Sequence, residues 1–99
     1  MKIGILGYGT VASGLVDIID NNKDKRDISI EGILVRDVSK HVHRKHSDVL
    51  TSDIEDIFNK DVDVIVELLG GLHPSYEYLK RALENKINVV TANKDMLAE

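Results

Sequence analysis

Short apolar runs alternate along the chain with segments in which apolar residues recur every three or four positions. The runs predict strands buried on both faces, at 3–6, 28–35, 62–69 and 87–91, with a short strand beginning at Val49-Leu50. The periodic segments predict helices at 10–19, 53–58 and 76–85, and Asn93 is predicted to open another. Strands and helices in strict alternation favour a parallel sheet, so we predict one α/β domain over residues 1–99, a Rossmann-like doubly wound sheet.

The same periodicity predicts which helical residues face the sheet. The expected inward sets are Val11, Leu15, Ile18 and Ile19 in the first helix, Ile54, Ile57 and Phe58 in the second, and Leu79, Ala82 and Leu83 in the third. The polar stretch 20–27 is predicted to be a solvated loop, and Gly70-Gly71 to end the strand before it. Ser39 is a candidate cap for a short solvated helix through the histidine-rich region.

A glycine motif, Gly7-x-Gly9-x-x-Ala12, joins the first strand to the first helix. In a dinucleotide-binding fold the first glycine permits the sharp turn and the second leaves room for the pyrophosphate. The third small residue, for which Ala is accepted, lets helix and strand pack closely. The motif alone is weak, because a glycine-rich turn can be merely structural. Its place between a buried strand and an amphipathic helix favours dinucleotide binding at the helix N-terminus.

Composition narrows the class of protein. With 13 Lys and Arg against 17 Asp and Glu the net charge is −4, which argues against a nucleic-acid partner. The absence of cysteine excludes disulfides and thiolate chemistry. No apolar run approaches the roughly 20 residues that span a bilayer, so we expect no membrane partner and a cytoplasmic location.

Three stretches together resemble the N-terminal cofactor domain of the homoserine dehydrogenase family. They are the glycine motif within 4–14, the sequence Ile65-Val-Glu-Leu-Leu-Gly-Gly71 followed by Pro74, and Val89-Val-Thr-Ala-Asn-Lys94. The last is the most specific, and the similarity covers essentially the whole chain. Ala12 departs from the family pattern, in which glycine is usual; the turn stays usable, but the helix is expected to sit slightly farther from the sheet.

The resemblance implies an oxidoreductase that interconverts aspartate semialdehyde and homoserine with NAD(P)H, in threonine and methionine biosynthesis. It assigns to the cofactor site the residues Gly7, Tyr8, Gly9, Thr10 and Val11 on the pyrophosphate and adenosine side, Leu69, Gly70 and Gly71 near the nicotinamide ribose, and Ala92, Asn93 and Lys94. Lys94 is implied to be catalytic, where cofactor and substrate meet. The substrate-holding domain of the family is absent from this chain, so a small-molecule substrate is expected only with it, in a full-length homo-oligomeric enzyme.

Arg36 follows the second strand, roughly where dinucleotide folds place the residue that contacts the ribose, which is about 20 positions after the glycines. An acidic residue there suits the 2′-hydroxyl of NAD, whereas arginine suits the 2′-phosphate of NADP. Lys40 could supply a second cation. We therefore predict NADP as the cofactor, with NAD kept as an alternative by the neighbouring Asp37.

Two further features have competing interpretations. Glu67 lies in an otherwise apolar strand, where it is either a structural hydrogen-bonding group or a general base, and the structural role is favoured. His41, His43 and His46 invite a metal site, but their spacing and the absence of cysteine favour a solvated surface, so no metal is predicted. At the level of function, the alternative to the enzyme is a non-catalytic NAD(P)-binding sensor that regulates a partner.

Overall fold

A computed structural model describes residues 1–21, 27–69 and 74–91 of the chain. The strands within these residues are Lys2–Leu6 (β1), Ser29–Leu34 (β2), Leu50–Thr51 (β3), Val64–Glu67 (β4) and Asn88–Thr91 (β5). The helices are Thr10–Asn21 (α1), Ile54–Phe58 (α2) and Ser75–Glu84 (α3), and single 3₁₀ turns occur at Val38–Lys40 and Ser47–Val49. The predicted strands and the helices predicted at 10–19, 53–58 and 76–85 are confirmed in order and type, with ends that differ by one or two residues, whereas the helix predicted through the histidine-rich region is only a 3₁₀ turn followed by irregular turns.

The strands form one sheet in the order β3-β2-β1-β4-β5, and each neighbouring pair is parallel. The first strand is central, with β2 on one side and β4 on the other. The chain moves outward from β1 through β2 to β3 and then returns to β4, so the winding direction reverses between β1 and β4. Such reversal points are where open parallel sheets bind ligands, at the carboxyl ends of the strands. The Rossmann-like prediction is confirmed.

Helices cover both faces of the sheet because alternate residues of a strand point in opposite directions. One core cluster contains Ile3 and Ile5 of β1 together with Ala12 and Val16 of α1. The other contains Leu6 and Ile65 from the sheet, with Ile57 of α2 and with Leu79 and Ala82 of α3. The two clusters account for the layered architecture.

The predicted inward faces of two helices are wrong at three positions. Val11, Ile18 and Leu83 are 66, 65 and 60 % exposed. The buried side of α1 is centred on Ala12 and Val16, and that of α3 on Leu79 and Ala82. Three- and four-residue spacing identifies an apolar stripe but does not give its width, and the sheet covers only the middle of each stripe.

Ile18 instead lines an open apolar groove of about 410 Å³ on the α1 side of the sheet. Its other walls include Met1, Leu15, Val64, Val66 and Val90.

Of the helices in the described ranges, none combines the length and the apolarity that crossing a bilayer would require.

Some element ends also differ from expectation. The predicted loop 20–27 begins later, because Asp20 and Asn21 continue α1. The strand predicted at 62–69 is paired only from Val64 to Glu67. The glycine pair at 70–71 and the helix expected from Asn93 lie outside the described residues.

Candidate functional site

The turn after β1 depends on Gly7, which has a φ of +102°. A Cβ on Gly7 would lie 3.0 Å from the carbonyl oxygen of Leu68, and the residue's own N–H donates to the carbonyl of Leu34 over 2.8 Å. Both the backbone conformation and the close approach of β4 therefore require glycine. The turn is held between the ends of β2 and β4, at the reversal point of the sheet.

Gly9 has a different environment. It is exposed, and a Cβ built there meets no atom within 4 Å. Its carbonyl accepts the first hydrogen bond of α1, from Ser13 N–H over 2.9 Å, so Gly9 is the N-cap. The N–H groups of the first helical turn, to which Thr10 and Val11 belong, have no acceptor inside a helix. An open N-terminus with its positive dipole end can bind an anionic group.

Tyr8 lies between the two glycines, but the residue as a whole is only 7 % exposed. Its hydroxyl donates to the carbonyl of Lys45 over 3.1 Å, and its ring stacks on the imidazole of His41, with 6.0 Å between centroids and 9° between planes. The guanidinium carbon of Arg44 lies 3.6 Å from the Tyr8 ring centroid. The Tyr8 ring is therefore packed against protein groups rather than exposed at the glycine turn.

Arg36 lies two residues after the end of β2 and is exposed. It lines a groove of about 270 Å³ with Val35, Ser52, Leu69, Pro74 and Tyr78. The groove thus joins the ends of β2 and β4 on the side of the sheet covered by α2 and α3. Arg36, predicted to contact the adenosine ribose, and Leu69, predicted to approach the nicotinamide ribose, therefore line the same groove.

The residue beside Arg36 is engaged locally. Asp37, not Ser39, caps the 3₁₀ turn Val38–Lys40, and the prediction of a Ser39 cap is wrong. The Ser39 hydroxyl donates to Asp37 Oδ1 over 2.6 Å and the Ser39 N–H over 3.0 Å, which together lower the pKa of Asp37 from its ordinary value. Lys40 ends the turn with an exposed side chain and adds to the same lowering of the Asp37 pKa.

Glu67 is fully buried and accepts hydrogen bonds from three residues. Its Oε2 accepts from Leu69 N–H at 2.7 Å and from the Ser75 hydroxyl at 3.0 Å, and its Oε1 accepts from the Thr91 hydroxyl at 2.7 Å. These contacts join the end of β4 to the start of α3 and the end of β5. The structural interpretation of Glu67 is therefore supported over general-base work.

The histidine region differs from the predicted helix. After the 3₁₀ turn the chain makes irregular turns, and His46 adopts φ 63° while its Nε2 lies 2.9 Å from Asp20 Oδ1. His41 and His46 are half-buried with partners, whereas His43 is exposed. Within the described residues, no set of three His, Asp or Glu side chains is arranged to hold a metal ion.

Arg44 is the residue that sequence reasoning missed. Its guanidinium donates to the Tyr8 carbonyl at 2.6 Å and to the Ser13 hydroxyl, and lies 3.1 Å from His41 Nδ1. A contact between residues 36 positions apart in the chain leaves no local pattern in the sequence.

Five of the predicted site residues lie outside the described residues, and their roles stay predictions. They are Gly70, Gly71, Ala92, Asn93 and Lys94.

Comparison with known proteins agrees with this geometry. A family model described as "Homoserine dehydrogenase, NAD binding domain" matches residues 7–99. Homoserine dehydrogenase of Bacillus subtilis is 40 % identical over 99 % of this chain and 24 % of its own length. The crystal structure of the Staphylococcus aureus homoserine dehydrogenase superposes with a TM-score of 0.86 at 44 % identity, covering 96 % of this chain and 26 % of that one.

A second crystal structure, of a homoserine dehydrogenase from Thiobacillus denitrificans, gives a TM-score of 0.88 at 32 % identity, over 99 % of this chain and 24 % of that one. The chain therefore spans about a quarter of the length of the relatives that it matches.

Proposed function

The chain belongs to the homoserine dehydrogenase family, as its NAD-binding domain, and we propose that the dinucleotide lies across the carboxyl edge of β1, β2 and β4. The observation that carries the proposal is the pair of contrasting glycines in the turn. Protein atoms occupy the space in which a Cβ of Gly7 would lie. At Gly9, at the N-terminus of α1, that space is open. A pyrophosphate-binding turn needs both: one glycine that permits the tight turn and a second that leaves room for the phosphates.

In this proposal the N–H groups of Gly9, Thr10 and Val11 hold the pyrophosphate. The adenosine end lies beside Arg36 in the groove, whereas Leu69, which lines the same groove, keeps its predicted contact with the nicotinamide ribose. The predicted contacts of Gly70 and Gly71 with the nicotinamide ribose belong to the proposal. So do those of Ala92, Asn93 and Lys94, with Lys94 where cofactor and substrate meet.

For the whole protein we propose the activity of its relatives, the interconversion of aspartate semialdehyde and homoserine in threonine and methionine biosynthesis. The bound nicotinamide supplies or accepts the hydride, and the chain's own residues bind and orient it. Family membership favours this enzyme over a non-catalytic sensor. Cytoplasmic location, homo-oligomerisation and the lack of nucleic-acid or membrane partners stay predictions from the sequence.

We further propose NADP(H) as the preferred cofactor. Arg36 is an exposed guanidinium at the groove, and such a group can hold a phosphate through two parallel charge-assisted hydrogen bonds. Asp37, which would favour NAD, has Oδ1 already accepting from Ser39. The capping contact thus supports Arg36 as the ribose-side residue.

The phosphate turn is tested by two matched substitutions, Gly9→Val and Gly14→Val. A Cβ at either position meets no protein atom within 4 Å, so both variants should fold. Only Gly9→Val places a side chain in the space assigned to the pyrophosphate, and it should abolish NADH and NADPH binding in calorimetric titrations. Gly14→Val should bind both cofactors as the wild type does. Equal affinities for all three proteins would reject this turn as the phosphate site.

A further inference from the structure

Arg44 holds the phosphate turn from outside, through the connection between β2 and β3. We propose that Arg44 is a positioning residue of the dinucleotide site, which fixes the turn in its pyrophosphate-binding shape and thereby sets the affinity for both NADH and NADPH. The inference rests on the proposed function, because it concerns how the same turn is kept ready for a cofactor.

The contacts reach both ends of the turn. On one side, Arg44 donates to the carbonyl of Tyr8, the residue between the two glycines. On the other, it donates to the hydroxyl of Ser13, whose N–H makes the first hydrogen bond of α1 to Gly9. A single guanidinium therefore connects the peptide before Gly9 to the first turn of the helix after it.

Gly9 itself has no such restraint from packing, because a Cβ there would meet no protein atom. Glycine has more conformational freedom than any other residue, so an unrestrained turn would sample other shapes when no cofactor is bound. Restraining the free turn removes part of the ordering cost of binding. The nearby fixed positive charge also favours an anion at the end of α1, where the helix dipole has the same sign.

The arrangement requires arginine rather than any cation. The guanidinium carbon lies 3.6 Å from the Tyr8 ring centroid while the guanidinium nitrogens donate to the two oxygens and to His41 Nδ1. A lysine ammonium is a point charge on a flexible stem and cannot combine stacking with a fork of donors. The hydroxyl of Tyr8, bonded to the Lys45 carbonyl, keeps the ring in place beneath the guanidinium.

The test compares Arg44→Met and Arg44→Lys with Lys45→Met. Lys45 is the next residue, and its ammonium lies 3.2 Å from Asp17, so Lys45→Met removes the same charge without touching the turn. We expect Arg44→Met to weaken NADH and NADPH binding equally, by roughly tenfold, as befits a lost charge-assisted hydrogen bond. Lys45→Met should stay within about twofold of wild type, and Arg44→Lys should recover only part of the loss.

A second readout separates positioning from general stability. In the cofactor-free protein, the amide resonances of Gly9 and Thr10 should shift in Arg44→Met and not in Lys45→Met. Wild-type affinity in a natively folded Arg44→Met would overturn the proposal, and so would unshifted Gly9 and Thr10 amides. A clearly larger loss for NADPH than for NADH would also overturn it, because Arg44 would then be a ligand of the 2′-phosphate.

If the wild-type chain binds neither cofactor, the proposed function fails, whereas the amide resonances still decide whether Arg44 shapes the turn. If Arg44→Met does not fold, Ser13→Ala takes its place, since it removes only one acceptor of the guanidinium. Binding of both cofactors weakened about two- to threefold in Ser13→Ala would support the proposal. Unchanged binding in that variant would overturn it.

Discussion

At the scale of single residues, the carboxylate of Glu67 connects three elements at the carboxyl edge of the sheet. Its two oxygens accept from the backbone after β4, from the first residue of α3 and from the last residue of β5. A buried group with this many partners is costly to alter, because each donor left without an acceptor retains its full desolvation penalty. Glu67 therefore stabilises the site without entering it.

We predict that Glu67→Gln lowers the free energy of unfolding by about 1–2 kcal/mol, the difference between hydrogen bonds to a charged and to a neutral acceptor. The amide oxygen can still accept from Leu69 and Ser75, whereas its NH₂ forces the Thr91 hydroxyl to turn and accept. Glu67→Leu should lower the free energy of unfolding by about 3 kcal/mol or more, because it leaves those donors without an acceptor. Urea titrations measure both, with Glu84→Gln on the exposed side of α3 as control. Equal stability of Glu67→Gln and Glu84→Gln would contradict the prediction.

Cofactor preference is decided at the same scale. We predict that Arg36→Ala weakens NADPH binding roughly tenfold to a hundredfold, the equivalent of about 1.5–3 kcal/mol for hydrogen bonds to a charged group. NADH, which lacks the 2′-phosphate, should bind almost unchanged. Calorimetric titration of both cofactors measures the ratio, and Lys45→Met controls for loss of one positive charge. A parallel loss for both cofactors, or for neither, would reject Arg36 as the selecting residue.

At the scale of elements, α2 lies directly over β1 and β2 because both strands carry a glycine beneath it. A Cβ on Gly4 would lie 2.8 Å from Ile57 Cγ2, and one on Gly32 would lie 3.1 Å from Ile57 Cγ1. Ile57 itself is completely buried. A helix of only five residues thus keeps its place by inserting one branched side chain over two strands that have no side chain there.

The prediction for this contact is a coupling between two substitutions. Gly4→Ala alone should cost about 1–3 kcal/mol through overpacking, and Ile57→Ala alone about 2–5 kcal/mol through a cavity. In the double variant the added methyl group occupies space left by Ile57, so the total loss should fall short of the sum by about 1 kcal/mol or more. Gly14→Ala, with open space around its Cβ, is the control and should not destabilise. If the stability losses of Gly4→Ala and Ile57→Ala simply add in the double variant, then Ile57 of α2 does not pack against position 4.

The elements differ in how well the sequence predicts them. Buried strands were predictable because a strand covered on both faces is continuously apolar, and the 3.6-residue period identified the helices. Which apolar positions stay exposed, as Ile18 and Leu83 do, depends on how far the sheet extends beneath each helix. Asp37 and Ser39 lie two residues apart and are both favourable N-cap residues, so the sequence alone did not identify which of them caps the turn. The contact of Arg44 with Tyr8 joins distant parts of the chain and has no local signal.

At the scale of the whole molecule, the winding of the sheet brings together residues that are far apart in the chain. Gly7, Arg36, Leu69 and Thr91 each follow or end a strand, and the parallel pairing places all four ends on one edge. Family membership identifies the chain as an NAD-binding domain, and this edge is where we propose that the cofactor lies. The relatives devote about three quarters of their length to other parts of the molecule.

We predict accordingly that the purified 99-residue chain binds a dinucleotide but does not oxidise homoserine. Hydride transfer needs the substrate held against the nicotinamide in near-attack geometry, at about 3–3.5 Å between the reacting atoms. The family resemblance implies that the groups that hold the substrate lie outside the quarter of the relatives' length that this chain spans. The measurement is the appearance of reduced nicotinamide absorbance with homoserine and either oxidised cofactor, with the full-length Bacillus subtilis enzyme as positive control. Turnover shown by the wild-type chain and lost in Gly9→Val would contradict the prediction, because it would locate catalysis in this domain alone.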